Sequence, residues 1–193
     1  MNFYKVKQLI LSMLKKDLSK NLHYHSYYHT IDVMESVERL AQLERIDRHN
    51  TILLKTAALF HDMGFLEVYT GHEDISINYA KKILPDFGYS KNDIETICLC
   101  IKATRIPQKP EIELAKTLCD ADLDYFGRDD FYYIAHGLKM EWEMRGHHYS
   151  LKEWYIQQLA FLKNHKYFTK SAIELREEKK QLRIKEMEEL LQC

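Results

Sequence analysis

The sequence predicts an all-α protein, and three observations carry that prediction. Apolar residues recur at helical spacing along nearly the whole chain. No segment alternates apolar and polar residues as a half-buried strand does. The three prolines and six glycines mostly fall between the periodic segments. Gly64, Gly71, Gly88, Gly127 and Gly146 mark such ends, as do Pro85, Pro107 and Pro110, whereas Gly137 stands inside a segment. There is no internal repeat.

Taken in order, Phe3, Val6, Leu9, Ile10, Met13 and Leu14 form the stripe of a first helix. Ile31, Met34, Val37, Leu40 and Ala41 form a second. The run Ile52-Leu53-Leu54-Lys55-Thr56-Ala57-Ala58-Leu59-Phe60 is the most continuously apolar stretch. Ser90 followed three residues later by Asp93 reads as a helix start, with Ile94, Ile97, Cys98 and Ile101 as its buried side. Further helices are expected over about 111–126, 129–144, 150–165 and 169–191. The last is dense in charge, with Glu174, Arg176, Glu177, Glu178, Lys179, Lys180 and Arg183 among the residues that pair opposite signs three or four apart. That pattern predicts an exposed helix packed on one side. Its apolar residues Ile173, Leu175, Leu182, Met187, Leu190 and Leu191 make a poor heptad, which leaves a homodimer as the alternative use.

The bulk numbers bound the rest. A chain of 193 residues is expected to form one domain with a sizeable core. Its 28 basic and 29 acidic residues argue against a partner that is a nucleic acid polymer. No apolar run approaches the roughly 20 residues of a membrane span. Leu9-Ile10-Leu11 is too short, and too soon followed by Lys15-Lys16, to read as a secretory leader, so a cytoplasmic location is expected. Cys98, Cys100, Cys119 and Cys193 show no Cys-x-x-Cys spacing and read as free structural thiols in a reducing compartment.

The chemistry concentrates at His61-Asp62, at the end of the apolar run. Adjacent helical residues point roughly 100° apart, yet one ion close to the helix surface can touch both. Imidazole and carboxylate together suit a divalent metal that activates water. A charged pair beside Leu59-Phe60 also needs a partner to offset its desolvation. His29 upstream and Asp122 in the run Asp120-Ala121-Asp122-Leu123-Asp124 are the further candidates. Taken singly, each has a bland reading as a packed histidine or a solvated acidic run. The ordered set His, His-Asp, Asp, each in an apolar helical frame, points to an enzyme. Tyr125 and Phe126 are expected at a pocket wall, and His147-His148 in an exposed loop.

This order of residues resembles the HD superfamily of metal-dependent phosphohydrolases, over about residues 22–145. Tyr24-His25-Ser26-Tyr27-Tyr28-His29-Thr30-Ile31-Asp32-Val33 resembles the YHN-x-x-H-x-x-DV segment of cyclic-nucleotide phosphodiesterases and their bacterial relatives. Ala57-Ala58-Leu59-Phe60-His61-Asp62-Met63-Gly64 is similar to the family's AALFHDIG segment. Cys119 to Asp124, followed by Gly127, is similar to its DADxLD-x-x-G segment.

The resemblance implies a helical bundle of the HD type with a metal site in its core, its C-terminal helices covering 150–193. It implies His29, His61, Asp62 and Asp122 as metal ligands, with Asp122 rather than Asp120 because the family ligand follows the alanine. Asp62 would also orient or deprotonate the attacking water. His25 matches a position that some relatives use as general acid. On a helix that included both, His25 and His29 would share a face, whereas a helix beginning near Tyr27 would remove that geometry. Phe65 stands where the phosphodiesterases carry a further histidine, so one ion (Mn, Mg, Fe, Zn or Ni) is expected rather than two. His72, Lys102 and Arg105 are the expected substrate-binding residues. The implied activity is hydrolysis of a phosphate ester, in the first instance a nucleotide. The alternative is a nucleotide-binding regulatory module that keeps the site with weak turnover.

Overall fold

The most apolar stretch becomes the most enclosed helix. The computed structural model describes residues 1–192, so the fourth cysteine, Cys193, lies outside the described residues. Within them, α3 (Arg48–Phe60) buries Leu53, Leu54, Thr56, Ala57, Ala58, Leu59 and Phe60, leaving little of its circumference to water. Around it pack α1 (Phe3–Asp17), α2 (Tyr27–Leu43), α5 (Lys91–Ala103) and α6 (Glu113–Asp122). The stripes of α1 and α2 face inward as expected, with Val6, Ile10 and Leu14 on one and Val33, Met34, Val37, Leu40 and Ala41 on the other buried. At α5, Ser90 and Asp93 form the reciprocal cap that their spacing predicts.

Three short 3-10 turns connect or extend the helices: Met63–Leu66, Leu84–Phe87 and Asp124–Gly127. The segment expected as one helix over 111–126 is therefore divided. α6 ends at Asp122, and the chain continues as a tight turn. The remaining helices are α4 (His72–Ile83), α7 (Phe131–Glu143), α8 (Leu151–Asn164) and α9 (Lys170–Gln192). No strand occurs among the described residues, and no described helix is long and apolar enough to cross a membrane. Cys98, Cys100 and Cys119 are free and buried.

The charged α9 is fastened to the core by polar groups as well as by the buried Ala172, Ile184 and Met187. Asp124, 1% exposed, accepts from Arg176 Nε of α9 at 2.8 Å and from Arg39 of α2 at 2.8 Å. Arg128 stands beside the same carboxylate and binds Asp32 at 2.7 Å. Just before α9, the Phe168 and Thr169 amides and the Thr169 hydroxyl all donate to Asp120. Lys180, itself buried, donates to the His165 carbonyl at 2.9 Å. Helix α9 also lies directly against the turn at Gly127, where an added Cβ would sit 2.3 Å from the Arg176 carbonyl oxygen. Because that obstacle is backbone, Gly127→Ala is expected to cost about 1–3 kcal/mol. Urea unfolding should show a lower midpoint at unchanged slope; an unchanged midpoint would contradict the close approach.

Candidate metal centre

Three helix ends deliver the histidines and aspartates of the centre. His29 lies in the first turn of α2, whose start is fixed by the Ser26 side chain accepting from the His29 amide. His61 follows α3 directly and keeps helical backbone angles, φ −54° and ψ −37°, whereas Asp62 departs to φ −105° and ψ 7°. The pair is thus at the helix terminus rather than within the helix. The change of backbone direction lets both side chains face one point. Asp122 is the last residue of α6.

The donor atoms converge. His29 Nε2 is 3.4 Å from His61 Nε2 and 3.2 Å from Asp122 Oδ1. His61 Nε2 is 3.5 Å from Asp122 Oδ1 and 3.2 Å from Asp62 Oδ2. Asp62 Oδ2 is 3.6 Å from His29 Nε2. Metal–ligand bonds of about 2.0–2.2 Å place neighbouring donors about 3.0–3.5 Å apart, which is the spacing seen here. His29, His61 and Asp122 form a group that could hold a metal ion. Asp62 lies beside this group: its buried Oδ2 faces the two imidazole nitrogens and has no hydrogen-bond partner.

The tautomer of His61 suits this role. Its Nδ1 donates to the Ala58 carbonyl at 2.7 Å, which leaves the Nε2 lone pair facing the centre. Burial works against charge on His61, yet the Asp62 and Asp122 carboxylates outweigh it and raise its pKa well above the ordinary value. Burial likewise opposes ionisation of the two aspartates. The facing imidazoles prevail, holding Asp62 well below its usual range and Asp122 down at about 2.

The acidic run around Asp122 divides into separate tasks. Asp120 and Asp122 are two apart on α6 and so point to opposite sides. Asp120 turns to the segment before α9 and Asp124 to the arginines, leaving Asp122 alone at the centre.

His25 reaches the site by a different route from the one its spacing suggests. Helix α2 begins at Tyr27, so His25 and His29 do not share a helix face. Instead Glu141 of α7, fully buried, accepts from the Tyr24 and His25 amides at 3.0 Å each and from His25 Nδ1 at 2.6 Å. The Tyr69 hydroxyl donates to the same carboxylate at 2.8 Å. Burial tends to raise the Glu141 pKa, but these donors hold it below the ordinary range. The His25 ring stacks on Phe65 at 4.2 Å between centroids, and His72 stacks on Phe65 at 3.9 Å. Phe65 therefore packs against both imidazoles, whose own centroids are 6.0 Å apart.

His72 opens α4, with Nε2 3.4 Å from Asp62 Oδ1 and Nδ1 donating to the Tyr69 carbonyl. Burial lowers its basicity, and Asp62 more than restores it, so the pKa is raised. Ser76, one turn on, ties α4 to the metal turn: its hydroxyl donates to the His61 carbonyl at 2.7 Å and accepts from the Gly64 amide at 2.8 Å. Sequence spacing flagged neither Glu141 nor Ser76. A buried acid 116 residues from His25 carries no local signal.

A cavity of about 390 Å³ opens on the centre and is lined by His25, Asp62, His72 and Asp122, with Tyr125, Leu138 and Trp142 on its apolar side. Tyr125 thus lines a wall, whereas Phe126 is fully buried in the core. The structure does not bring Lys102 there. Its ammonium pairs with Glu111 at 3.3 Å, and it lines a separate surface hollow. Arg105 does not line the cavity either; it is engaged by Asp74 at 2.8 Å and by Glu73, which does, at 3.4 Å. His147 and His148 are exposed, as expected.

An all-helical chain whose imidazoles and carboxylates converge in this way defines a helical protein with a mixed histidine–aspartate metal centre. Residues 26–124 match the HD domain family, and the chain belongs to that family. Solved structures share the fold. Bacillus subtilis YpgQ in complex with ADP is 20% identical with a TM-score of 0.68, over 98% of this chain and 95% of that one. A predicted HD superfamily hydrolase from an uncultured Thermotogales bacterium is 19% identical with a TM-score of 0.65, over 99% and 98%. No curated protein matches the chain.

Divalent metal should therefore bind in competition with protons, because His61 holds a proton more tightly than an ordinary histidine. Affinity is expected to fall about tenfold per pH unit on acidification below neutrality. Calorimetry in buffers of different ionisation enthalpy should register proton release. A pH-independent affinity would contradict the site.

Proposed function

We propose that the protein is a metal-dependent phosphohydrolase acting on a phosphate ester of a nucleotide. The observation that carries this reading is the His29–His61–Asp122 group, with the unpartnered Asp62 Oδ2 3.2–3.6 Å from both imidazoles, beside a cavity able to take an organic phosphate. The ADP found in YpgQ, which shares the fold, supports a nucleotide as ligand. One ion of Mn, Mg, Fe, Zn or Ni would be held by His29, His61, Asp62 and Asp122, since mixed imidazole and carboxylate ligands suit several first-row metals. When bound, it supplies Lewis acidity toward the phosphoryl oxygens and lowers the pKa of a water.

The chain's own groups do the rest. Asp62 turns Oδ2 to the histidines and keeps Oδ1 on the His72 side, where it orients the attacking water. His72 meets a phosphoryl oxygen from the same side, and Arg105 pairs with Glu73 of the lining. His25, with Nδ1 committed to Glu141, presents Nε2 to the cavity and gives its proton to the leaving oxygen. Lys102 has no part in this arrangement. The free, buried thiols support a cytoplasmic setting. Phe65, standing where a further histidine would recruit a second metal, favours the alternative of a slow, nucleotide-holding module. Nucleotide that stays intact through prolonged incubation with each metal would establish it.

The hydrolase reading is tested by phosphate release from a nucleotide panel under each metal. His61→Ala and Asp122→Asn proteins, still folded by circular dichroism, should lose turnover. His25→Ala should cost about 100-fold or more in kcat on a nucleotide. It should cost far less on a p-nitrophenyl ester, whose leaving group needs no proton. Equal losses on both would remove His25 from the acid role.

A further inference from the structure

Tyr69 reaches both of the imidazoles that pack on Phe65. It lies in the segment joining the turn Met63–Leu66 to α4, and it lines the metal cavity. Its carbonyl accepts from His72 Nδ1 at 3.1 Å. Its hydroxyl donates at 2.8 Å to Glu141 Oε1, the same oxygen that accepts from His25 Nδ1. The ring meets Phe65 edge-on at 5.2 Å between centroids, and the Arg145 guanidinium lies over it at 3.8 Å.

Among the described residues the Glu141 carboxylate has four donors, two on each oxygen. Three of them belong to Tyr24 and His25, the segment that Glu141 holds. Tyr69 supplies the fourth, from another part of the chain. Charge settles the direction of each bond. Against the effect of burial, these donors keep the Glu141 pKa below its ordinary range, so the carboxylate is ionised and can only accept. His25 Nδ1 therefore carries a proton, and any proton that His25 exchanges with a substrate passes through Nε2. Burial and the Glu141 charge raise the Tyr69 pKa, so the hydroxyl keeps its own proton and donates.

The Tyr24 and His25 amides hold Oε2, which fixes the backbone of that segment but leaves Oε1 able to pivot. Without Tyr69, Oε1 would be tied to the His25 ring alone, and carboxylate and ring could swing together. An outside donor on Oε1 removes that freedom. A fixed ring angle is what proton transfer to one leaving oxygen requires.

We propose that Tyr69 is a positioning residue for the hydrolytic step: its hydroxyl fixes Glu141 Oε1 and so aims His25 Nε2 at the leaving oxygen. The proposal rests on the phosphohydrolase reading for the reaction that His25 serves. It adds a residue that acts through Glu141 rather than on the phosphoryl group.

The test compares zinc-loaded, full-length wild-type protein with Tyr69→Phe, which keeps the ring against Phe65 and Arg145 and removes only the hydroxyl. In protein labelled with 15N-histidine, the His25 Nδ1 proton, bonded at 2.6 Å, should give a low-field signal that moves or broadens in Tyr69→Phe. The His72 signals should stay, because the variant keeps the Tyr69 carbonyl. On a hydrolysed nucleotide, Tyr69→Phe should lower kcat about tenfold with little change in KM. It should cost far less on a p-nitrophenyl ester. In a Glu141→Gln background the same change should cost little more, since the hydroxyl acts through the carboxylate. A packing role alone would be filled by Phe, so wild-type kcat on the nucleotide overturns the proposal. So does an unmoved His25 signal, an equal loss on both esters, or a loss that adds in full to that of Glu141→Gln. The spectra need no turnover. A His25 signal that depends on the hydroxyl, in a protein that releases no phosphate under any metal, would sink the hydrolase reading and leave Tyr69 as the residue that orients His25. Phosphate release indifferent to the hydroxyl would do the reverse.

Discussion

Two imidazoles at the end of the most buried helix and the start of α2 each lie within 3.6 Å of both the Asp62 and the Asp122 carboxylates, and the rest of the site depends on how that concentration of charge is satisfied. Ionised aspartates so deep in a protein are costly unless a cation joins them. In the absence of metal a proton on His61 serves, which is why its pKa is raised while those of Asp62 and Asp122 are lowered. A divalent ion held by His29, His61 and Asp122 would offset the same charges.

The surrounding structure reads as a set of devices that keep these donors aimed. The Ala58 carbonyl fixes the His61 ring, and Ser76 fixes the His61 carbonyl and the Gly64 amide together. Glu141 fixes the segment carrying His25 by both backbone and side chain. Asp120 and Asp124 anchor α9, which lies against the turn that follows Asp122. Each anchor is polar and buried, and all but the Ala58 carbonyl are remote in sequence from what they hold. Such bonds are specific in direction, and an apolar contact would not set a ring angle.

Much of this was legible from sequence, and the exceptions have physical causes. The apolar stripes of α1, α2 and α5 and the cap at Ser90 were plain, because burial there falls on apolar residues at helical spacing. Helix α4 was not, because the positions it buries most deeply are Glu73, Ser76 and Ala80 rather than an apolar stripe. Its inner face serves the site, so its pattern is polar. The break of the helix expected over 111–126 was hidden because a 3-10 turn keeps nearly helical spacing. Among site residues, His29, His61 and Asp122 were legible from their order and are brought together. Lys102 was chosen for its charge alone, and charge on a helix surface does not say which side it faces. Glu141 gave no signal, since its meaning depends on which distant segments pack beside it.

The central claim is that one ion joins the two imidazoles and two carboxylates. Anomalous diffraction from crystals grown with manganese, collected on both sides of its absorption edge, tests it directly. The account predicts a single peak about 2.0–2.3 Å from His29 Nε2, His61 Nε2, Asp62 Oδ2 and Asp122 Oδ1. A crystal with manganese bound elsewhere, and these side chains joined only to one another, would contradict it.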